Sequence, residues 1–234
     1  MYQPSVQSPV DRIDTLATAL AKRLGTEGAR AWIKKQSRPY RELMLYYRCA
    51  LMEVETKFRV LNEELSADSE SNPIETIETR LKSPESILAK AERDGVDLTV
   101  ESLEENIEDI AGIRIVCSFE SDVYVLADAL LRQDDVTLLL KKDYIANPKP
   151  SGYRSLHLII ATPIFLHDRT KVMRVEVQLR TLAMDVWASL EHKLTYKKDP
   201  ARRTAEVNAK LSKCADISAQ LDKLMGETRD LIGI

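Results

Sequence analysis

Glu176, Gln178 and Arg180 stand at alternate positions of the run VEVQLRT, with Val175, Val177 and Leu179 between them. Alternate side chains of a strand leave opposite faces, so a carboxylate, an amide and a guanidinium share one face while the other is core-like. A cleft with that lining suits a metal ion and phosphates. Upstream, IEDIAGIRIVCSF sets Asp109 just before a second strand, Gly112 where backbone can run close to a neighbour, and Arg114 inside the strand. An Asp and a Glu on separate strands can hold one magnesium ion, which takes few carboxylates and completes its shell with water and phosphate oxygens. By spacing alone the pair reads first as solvated carboxylates or partners of a nearby Arg, ahead of a metal site. Between the two runs, the basic loop DYIANPKPSGYRSLHLII delivers Tyr153, Arg154 and His157 onto an apolar stretch that reads as a buried strand.

A second set of charges precedes these. Arg80, Lys82, Lys90 and Arg93 place cations on a strand, a loop and one helix face, and Ser86 sits near the start of that helix, where a hydroxyl or backbone N–H can meet a phosphate. The alternative for the basic side chains, Arg93 above all, is a solvated surface.

Hydrophobic periodicity supplies the elements that must position them. Helical spacing covers Val10 to Leu24. Gly25 and Gly28 interrupt it, a short helix spans Ala29 to Lys35, and Pro39 opens a long amphipathic helix through Leu65. A strand over Ile74 to Leu81 follows, then a helix started by Pro84 and ending near Asp94, a short helix over Leu98 to Asn106, a strand over Ile110 to Phe119 and a helix over Ser121 to Arg132. Strands begin at Val136 and cover Leu156 to Phe165 and Lys171 to Thr181; helices cover Leu182 to Tyr196, with Trp187 and Leu190 inward, and Arg202 to Leu231, with Leu211, Cys214, Ile217, Leu221 and Leu224 on one stripe. The fold class is α+β: a mixed sheet flanked by helices, with long helices at both ends. Four segments result: an N-terminal extension (1–38), a long helix (39–72), a catalytic domain (73–198) and a C-terminal helix (199–234).

Charge is balanced, with 34 Lys plus Arg against 37 Asp plus Glu and a formal net charge of −3. Proteins that grip long nucleic acid carry a basic surplus, so a small-molecule substrate is favoured. Cys49, Cys117 and Cys214 lie far apart and read as small buried apolar residues of a reducing compartment. With no membrane-length apolar run and a polar N-terminus, a cytoplasmic location is expected.

Five blocks then carry a resemblance. RLKSPESILAK (Arg80 to Lys90), EDIAGIRIVCSF (Glu108 to Phe119), KDYIANPKPSGYRSLH (Lys142 to His157), VEVQLRT and MDVWASLEHKLTYK (Met184 to Lys197) resemble, in order and spacing, the synthetase domain of the RelA/SpoT homologue family over about Pro73 to Lys198. The chain is similar to its small alarmone synthetases, of the RelP rather than the RelQ type. The region before Pro73 contains no His, so it cannot build the His-Asp metal cluster of the hydrolase domain in the family's long members.

The resemblance implies a nucleotidyltransferase (polymerase-beta-like) sheet and a homotetramer. It implies transfer of the β,γ-pyrophosphate of ATP to the 3′-OH of GDP or GTP, with Mg2+ on Asp109 and Glu176 and with Glu176 able to take the 3′-OH proton. On the ATP side it implies Arg80, Lys82, Ser86, Lys90, Arg93 and Arg114, with Arg80 and Arg114 sandwiching the adenine. On the GDP or GTP side it implies Lys142, Lys149, Tyr153, His157, Gln178 and Asp185, with Tyr153 stacking on guanine and Asp185 accepting from its edge. His157 also fits a hydrogen-bonded core residue.

One departure stands out. Before Arg80, where the RelQ type carries an aromatic residue and a Thr-Gly pair tied to an alarmone effector site, this chain has Thr76, Glu78 and Thr79. A carboxylate there repels a polyphosphate, so strong activation by pppGpp is not expected. Two other functions compete: a toxin-type relative that pyrophosphorylates the 3′ end of tRNA, and a nucleotide-binding scaffold without activity. The intact SGYRSLH loop and the charge balance favour the free nucleotide, and no matched catalytic position is lost.

Overall fold

The computed structural model describes residues 9–67, 72–195 and 204–233. Helix α1 spans Pro9–Ala67, followed by β1 (Ile74–Leu81), α2 (Pro84–Arg93), α3 (Val100–Asn106), β2 (Ala111–Cys117), α4 (Glu120–Leu131), β3 (Thr137–Asp143), β4 (Leu156–Phe165), β5 (Thr170–Thr181), α5 (Leu182–Thr195) and α6 (Ala205–Ile232). The strands form one sheet in the order β1-β2-β5-β4-β3. Only β2 and β5 run parallel; the other pairs are antiparallel. The expected α+β class with a mixed sheet is what the chain adopts. The expectations for residues 1–8, 196–203 and the loop at 68–71 lie outside the described residues.

The odd-numbered residues of β2 and β5 form the core face. Ile113, Ile115, Val175, Val177 and Leu179 are almost wholly buried there, and α1 crosses β1, β2, β4 and β5. Leu43, Tyr47, Ala50, Leu51, Val54 and Phe58 recur along α1 at helical spacing and are buried with them in one cluster. Leu43, Leu51, Val54 and Phe58 each contribute about 1.5 to 3 kcal/mol by leaving water, and this face ties the sheet to the helical layer.

The N-terminal third differs from the sequence expectation. Only Gly25 leaves helical geometry (φ 74°, ψ 169°), while Pro39 lies inside the helix, so neither a break at Gly28 nor a fresh start at Pro39 occurs. Proline removes one backbone hydrogen bond and crowds the preceding turn. Tertiary contacts offset this: Trp32 meets Tyr40 edge to face at 5.8 Å, and its indole N–H donates to Leu98 O at 2.5 Å.

At the other end Trp187 is inward, but Leu190 is 53% exposed, because α5 offers that flank to no other described element. The α6 stripe exists, yet Ile217, Leu221 and Leu224 also face solvent. Of the cysteines Cys117 is buried, Cys49 half-buried and Cys214 exposed, so the expectation of burial fails for Cys214, which shares the open stripe. No described helix is long and apolar enough to cross a membrane.

Candidate active site

The even-numbered residues of the same strands build the polar face. Sheet register aligns Glu78, Arg114, Gln178, His157 and Lys142 across all five strands in one row. In the next row Arg80 opposes Gly112, which opposes Glu176. Residues 15 to 64 positions apart become neighbours because register, once set by the buried face, fixes the exposed face too.

A cleft of about 450 Å3 lies on this face, lined by Arg80, Lys82, Asp109, Arg114, Glu176 and Gln178 together with Glu78 and His192. Six expected site residues therefore converge. Lys82 lies just beyond β1, but its N–H donates to Ile110 O at 2.8 Å and prolongs the ladder. The ammonium groups of Lys82 and Lys90 both bond the Asp109 carboxylate, Lys90 at 2.7 Å. Burial pushes Asp109 up, but these two ammonium groups outweigh it and hold the carboxyl below the usual range. Glu176 accepts from Gln178 Nε2 at 2.9 Å and lies 3.3 Å from His157 Nδ1. Burial again pushes upward, and the hydrogen bonds from His157 and Gln178 win, so Glu176 is an anion at neutral pH.

Gly112 has a different role from the one its sequence suggests. A Cβ there would sit 3.9 Å from Arg80 O and Glu176 Oε2, an ordinary separation, so no tight backbone approach demands glycine. Its effect is to put no side chain in front of Glu176. Among the described residues no group of three or more His, Cys, Asp or Glu gathers around a possible ion. The carboxylates of Asp109 and Glu176, on one open cleft floor amid phosphate-sized cationic groups, fit a magnesium ion that draws its remaining ligands from water and phosphate.

Three residues expected on the donor side stand differently. Arg93 is exposed and bonded to neighbouring Asp94 at 2.8 Å, outside the cleft lining, because its position on the last turn of α2 points it along the helix end. Ser83 caps α2 and accepts from Ser86 N at 3.3 Å, so the Ser86 backbone N–H is already engaged and only its hydroxyl can meet a phosphate. Lys90, though joined to Asp109, is also absent from the cleft lining.

Of the residues expected on the acceptor side, Lys149, Tyr153 and His157 form a separate group with Tyr144 beside the cleft. Tyr144, Tyr153 and His157 pack edge to face with centroids 5.3 to 6.1 Å apart. The Tyr153 hydroxyl lies 2.9 Å from His157 Nε2. His157 thus stands between the Tyr153 hydroxyl at Nε2 and the Glu176 carboxylate at Nδ1, which joins the aromatic group to the carboxylate. Lys149 Nζ stands 4.4 Å over the Tyr144 ring and 4.9 Å over that of Tyr153, and the Arg180 guanidinium is 5.8 Å from the Tyr153 ring. Buried Arg180 donates to Gln178 Oε1 at 2.9 Å and Asp185 Oδ1 at 3.3 Å, fixing the amide and the first turn of α5. Burial lowers the Arg180 pKa from its ordinary value, yet a guanidinium keeps its charge.

The sequence pattern does not single out Glu78, Tyr144 or His192 as site residues. Glu78 bonds Arg114 at 3.1 Å and faces the cleft; two-residue spacing from Arg80 was the available signal. His192 follows Asp185 by two helical turns, so both lie on one face of α5. Tyr144 carried no signal beyond being aromatic beside Lys142.

Comparison with known proteins adds lineage to this geometry. The model for the region found in RelA / SpoT proteins matches residues 79–201. The chain is 42% identical over 196 residues to the GTP pyrophosphokinase YwaC of Bacillus subtilis (strain 168), covering 82% of this chain and 91% of that one. It is 35% identical over 190 residues to the GTP pyrophosphokinase YjbM of the same strain, covering 81% and 88%. Among solved structures it is similar to the small alarmone synthetase 1 of Bacillus subtilis bound to its product pppGpp, with a TM-score of 0.75, 34% identity, and 84% of this chain and 100% of that chain covered.

Proposed function

The chain belongs to the RelA/SpoT family, and from that premise we propose that it is a small alarmone synthetase, a GTP pyrophosphokinase that moves the β,γ-pyrophosphate of ATP to the 3′-OH of GDP or GTP. AMP leaves, and ppGpp or pppGpp is formed. The observation that carries this reading is the position of Glu176, which faces the basic cleft on one side and is tied through His157 to the Tyr153 group on the other.

ATP binds in the cleft, with Arg80 and Arg114 against the adenine and Lys82 and Lys90 turning from Asp109 to the phosphates. The Ser86 hydroxyl adds one donor, and Arg93 assists only after leaving Asp94. Guanine stacks on Tyr153, taking the place of one of the cations now over its ring. Lys142 and Lys149 meet the 5′-phosphates, and Asp185 accepts from the guanine edge. His157 and Gln178 orient Glu176, which takes the proton of the attacking 3′-OH as that oxygen approaches the β-phosphorus. Asp109 and Glu176 would hold Mg2+, which when bound would neutralise charge on the transferred phosphates. No covalent enzyme intermediate is needed, because in-line transfer rests on positioning and charge neutralisation.

The subunits form a homotetramer. Leu182, Val186, Leu190, Leu194, Ile217 and Leu221 leave one flank of α5 and α6 apolar and exposed, and such a patch is stabilised by covering. Light scattering that returns a monomer at micromolar concentration removes this assignment.

The activity is tested by incubating the protein with γ-labelled ATP, magnesium and GDP, GTP or tRNA. Label is expected in the guanosine products and not in tRNA. Label in tRNA alone overturns the free-nucleotide acceptor.

A further inference from the structure

The loop that carries Tyr153 leans on the C-terminal helix. Gly152 has a φ of +88°, and a Cβ placed on it would overlap the Cβ of Ala215 on α6 and lie 3.7 Å from the Trp187 ring. A backbone conformation open to glycine thus faces the smallest side chain a helix can present. Trp187, Ala188 and Ala215 form a buried cluster apart from the main core, and Tyr153 is the partly buried residue packed against it. Substitution at this contact has little room to relax, because close-packed atoms transmit displacement.

Helix α6 is fixed over the loop along much of its length. Trp187 Nε1 donates to Leu211 O at 3.0 Å, Ser218 Oγ to Ala183 O at 2.9 Å, and Thr181 Oγ1 to Asp222 Oδ2 at 2.9 Å. Further along, Arg229 bonds Ser121 at 2.9 Å and Asp122 at 3.3 Å at the start of α4. The loop itself closes on short bonds, Gly152 N to Lys149 O at 2.8 Å and Lys149 N to Tyr153 O at 3.1 Å. Moving Gly152 therefore moves both Lys149 and Tyr153.

We propose that Ala215 is a positioning residue for the guanine-nucleotide acceptor: seated on Gly152, it holds the loop so that the Tyr153 ring is already placed before the nucleotide arrives. The inference rests on the acceptor assignment made above. Its consequence is that the C-terminal helix, beyond offering an apolar flank to other subunits, forms the back wall of the acceptor site. The entropy of ordering the loop is then spent in folding rather than in binding. The donor cleft has no residue of α6 in its lining, so the effect is confined to one substrate.

The test compares the full chain with Gly152→Ala, Ala215→Gly and the double variant. Calorimetry measures binding of GDP and of a non-hydrolysable ATP analogue, and steady-state assays give KM and kcat for both substrates. Gly152→Ala is expected to weaken GDP binding and raise acceptor KM by about tenfold or more, with the ATP analogue within about twofold. Ala215→Gly, which thins the wall without a clash, lowers GDP affinity by about two- to fivefold. Added to Gly152→Ala, it recovers at least about threefold by removing the overlap, although the left-handed backbone still disfavours a side chain. No recovery in the double variant, an unchanged GDP affinity in Ala215→Gly, or equal losses for both nucleotides each overturns the positioning role. A wild-type chain that binds GDP yet transfers nothing sinks the activity assignment instead, while the binding data still decide this contact. A wild-type chain that binds neither GDP nor GTP sinks the acceptor assignment and the positioning role together.

Discussion

The proposed donor half takes its geometry from strand register, whereas the proposed acceptor half takes it from a loop leaning on two helices. On the donor side Arg80, Gly112 and Glu176 fall in one row of the sheet, and the charges there are matched internally: Asp109 by Lys82 and Lys90, Arg114 by Glu78. On the acceptor side Tyr153 is placed by the turn at Gly152 and by the Trp187 and Ala215 cluster. Register is set by many buried residues at once and resists any single change. A loop rests on few contacts, so one substitution can displace it. The two halves should therefore fail in different ways.

The largest effect is expected where they meet. Glu176→Gln keeps the side-chain shape but removes the proton acceptor and the anionic ligand, and kcat should fall by roughly 10² to 10⁴-fold with the melting temperature held. Near-normal turnover sinks the assignment. Because His157 and Gln178 overcome the upward push of burial and hold Glu176 below its ordinary 4.5, this carboxylate stays ionised throughout the neutral range. Its stabilising bonds persist above the ordinary carboxylate range and are lost as pH falls through the depressed folded value. Any acidic limb it contributes to the kcat profile should lie below pH 4.5; a limb near neutrality that vanishes in Glu176→Gln contradicts this.

Asp109→Asn comes next and sharpens the donor side. It frees Lys82 and Lys90 from their shared carboxylate and removes one proposed magnesium ligand. kcat/KM for ATP is expected to drop at least roughly tenfold, with partial recovery at raised magnesium. Activity indifferent to magnesium in this variant restricts Asp109 to holding the lysines.

The comparison itself is tested by a pair. Tyr153→Ala should raise the acceptor KM by roughly 10- to 100-fold, the range for a lost base stack, and leave the ATP KM nearly unchanged. Arg80→Ala should do the reverse. Equal losses for both substrates in either variant erase the division into halves.

The smallest effect concerns the α6 anchor. Burial pushes the Asp222 carboxyl above its ordinary value, so the folded state disfavours its charge. Stability on this account falls as pH rises from the unfolded value of about 3.9 to the raised folded one, and the cost is constant above that. Asp222→Asn keeps an acceptor for the Thr181 hydroxyl and removes the charge. It should raise the melting temperature by a few degrees, about 2 to 4 °C per kcal/mol for a chain of this size, at pH 7 to 8, with the gain vanishing at acid pH. A lower melting temperature at neutral pH shows that the ionised form is the one the helix needs.

Much of the architecture was legible because its signals are local. Alternation along VEVQLRT announced the two faces of β5, and Pro84 at the first helical position announced α2. The N-terminal third was less so. Gly28 and Pro39 are breakers by intrinsic propensity, but burial of Trp32, Tyr40 and Leu43 outweighs that preference, and such burial is invisible until the sheet is in place. Arg93 and the Ser86 N–H were read as open to phosphate because their present partners, Asp94 and the Ser83 cap, are matters of side-chain and terminal geometry.

Sequence by itself picked out six of the residues that face the cleft: strand periodicity and the five motif blocks single out Asp109, Glu176, Gln178, Arg80, Lys82 and Arg114, since each position follows from a period of two or a motif offset. Only the tertiary structure decided what those residues touch. That Lys82 and Lys90 share Asp109, that His157 bridges Glu176 and Tyr153, and that Ala215 of the last helix sits on Gly152 depend on contacts that, apart from the local one between Tyr153 and His157, join residues 19 to 63 positions apart. Periodicity gives the direction in which a side chain leaves the backbone, and packing alone gives the distance to what it meets.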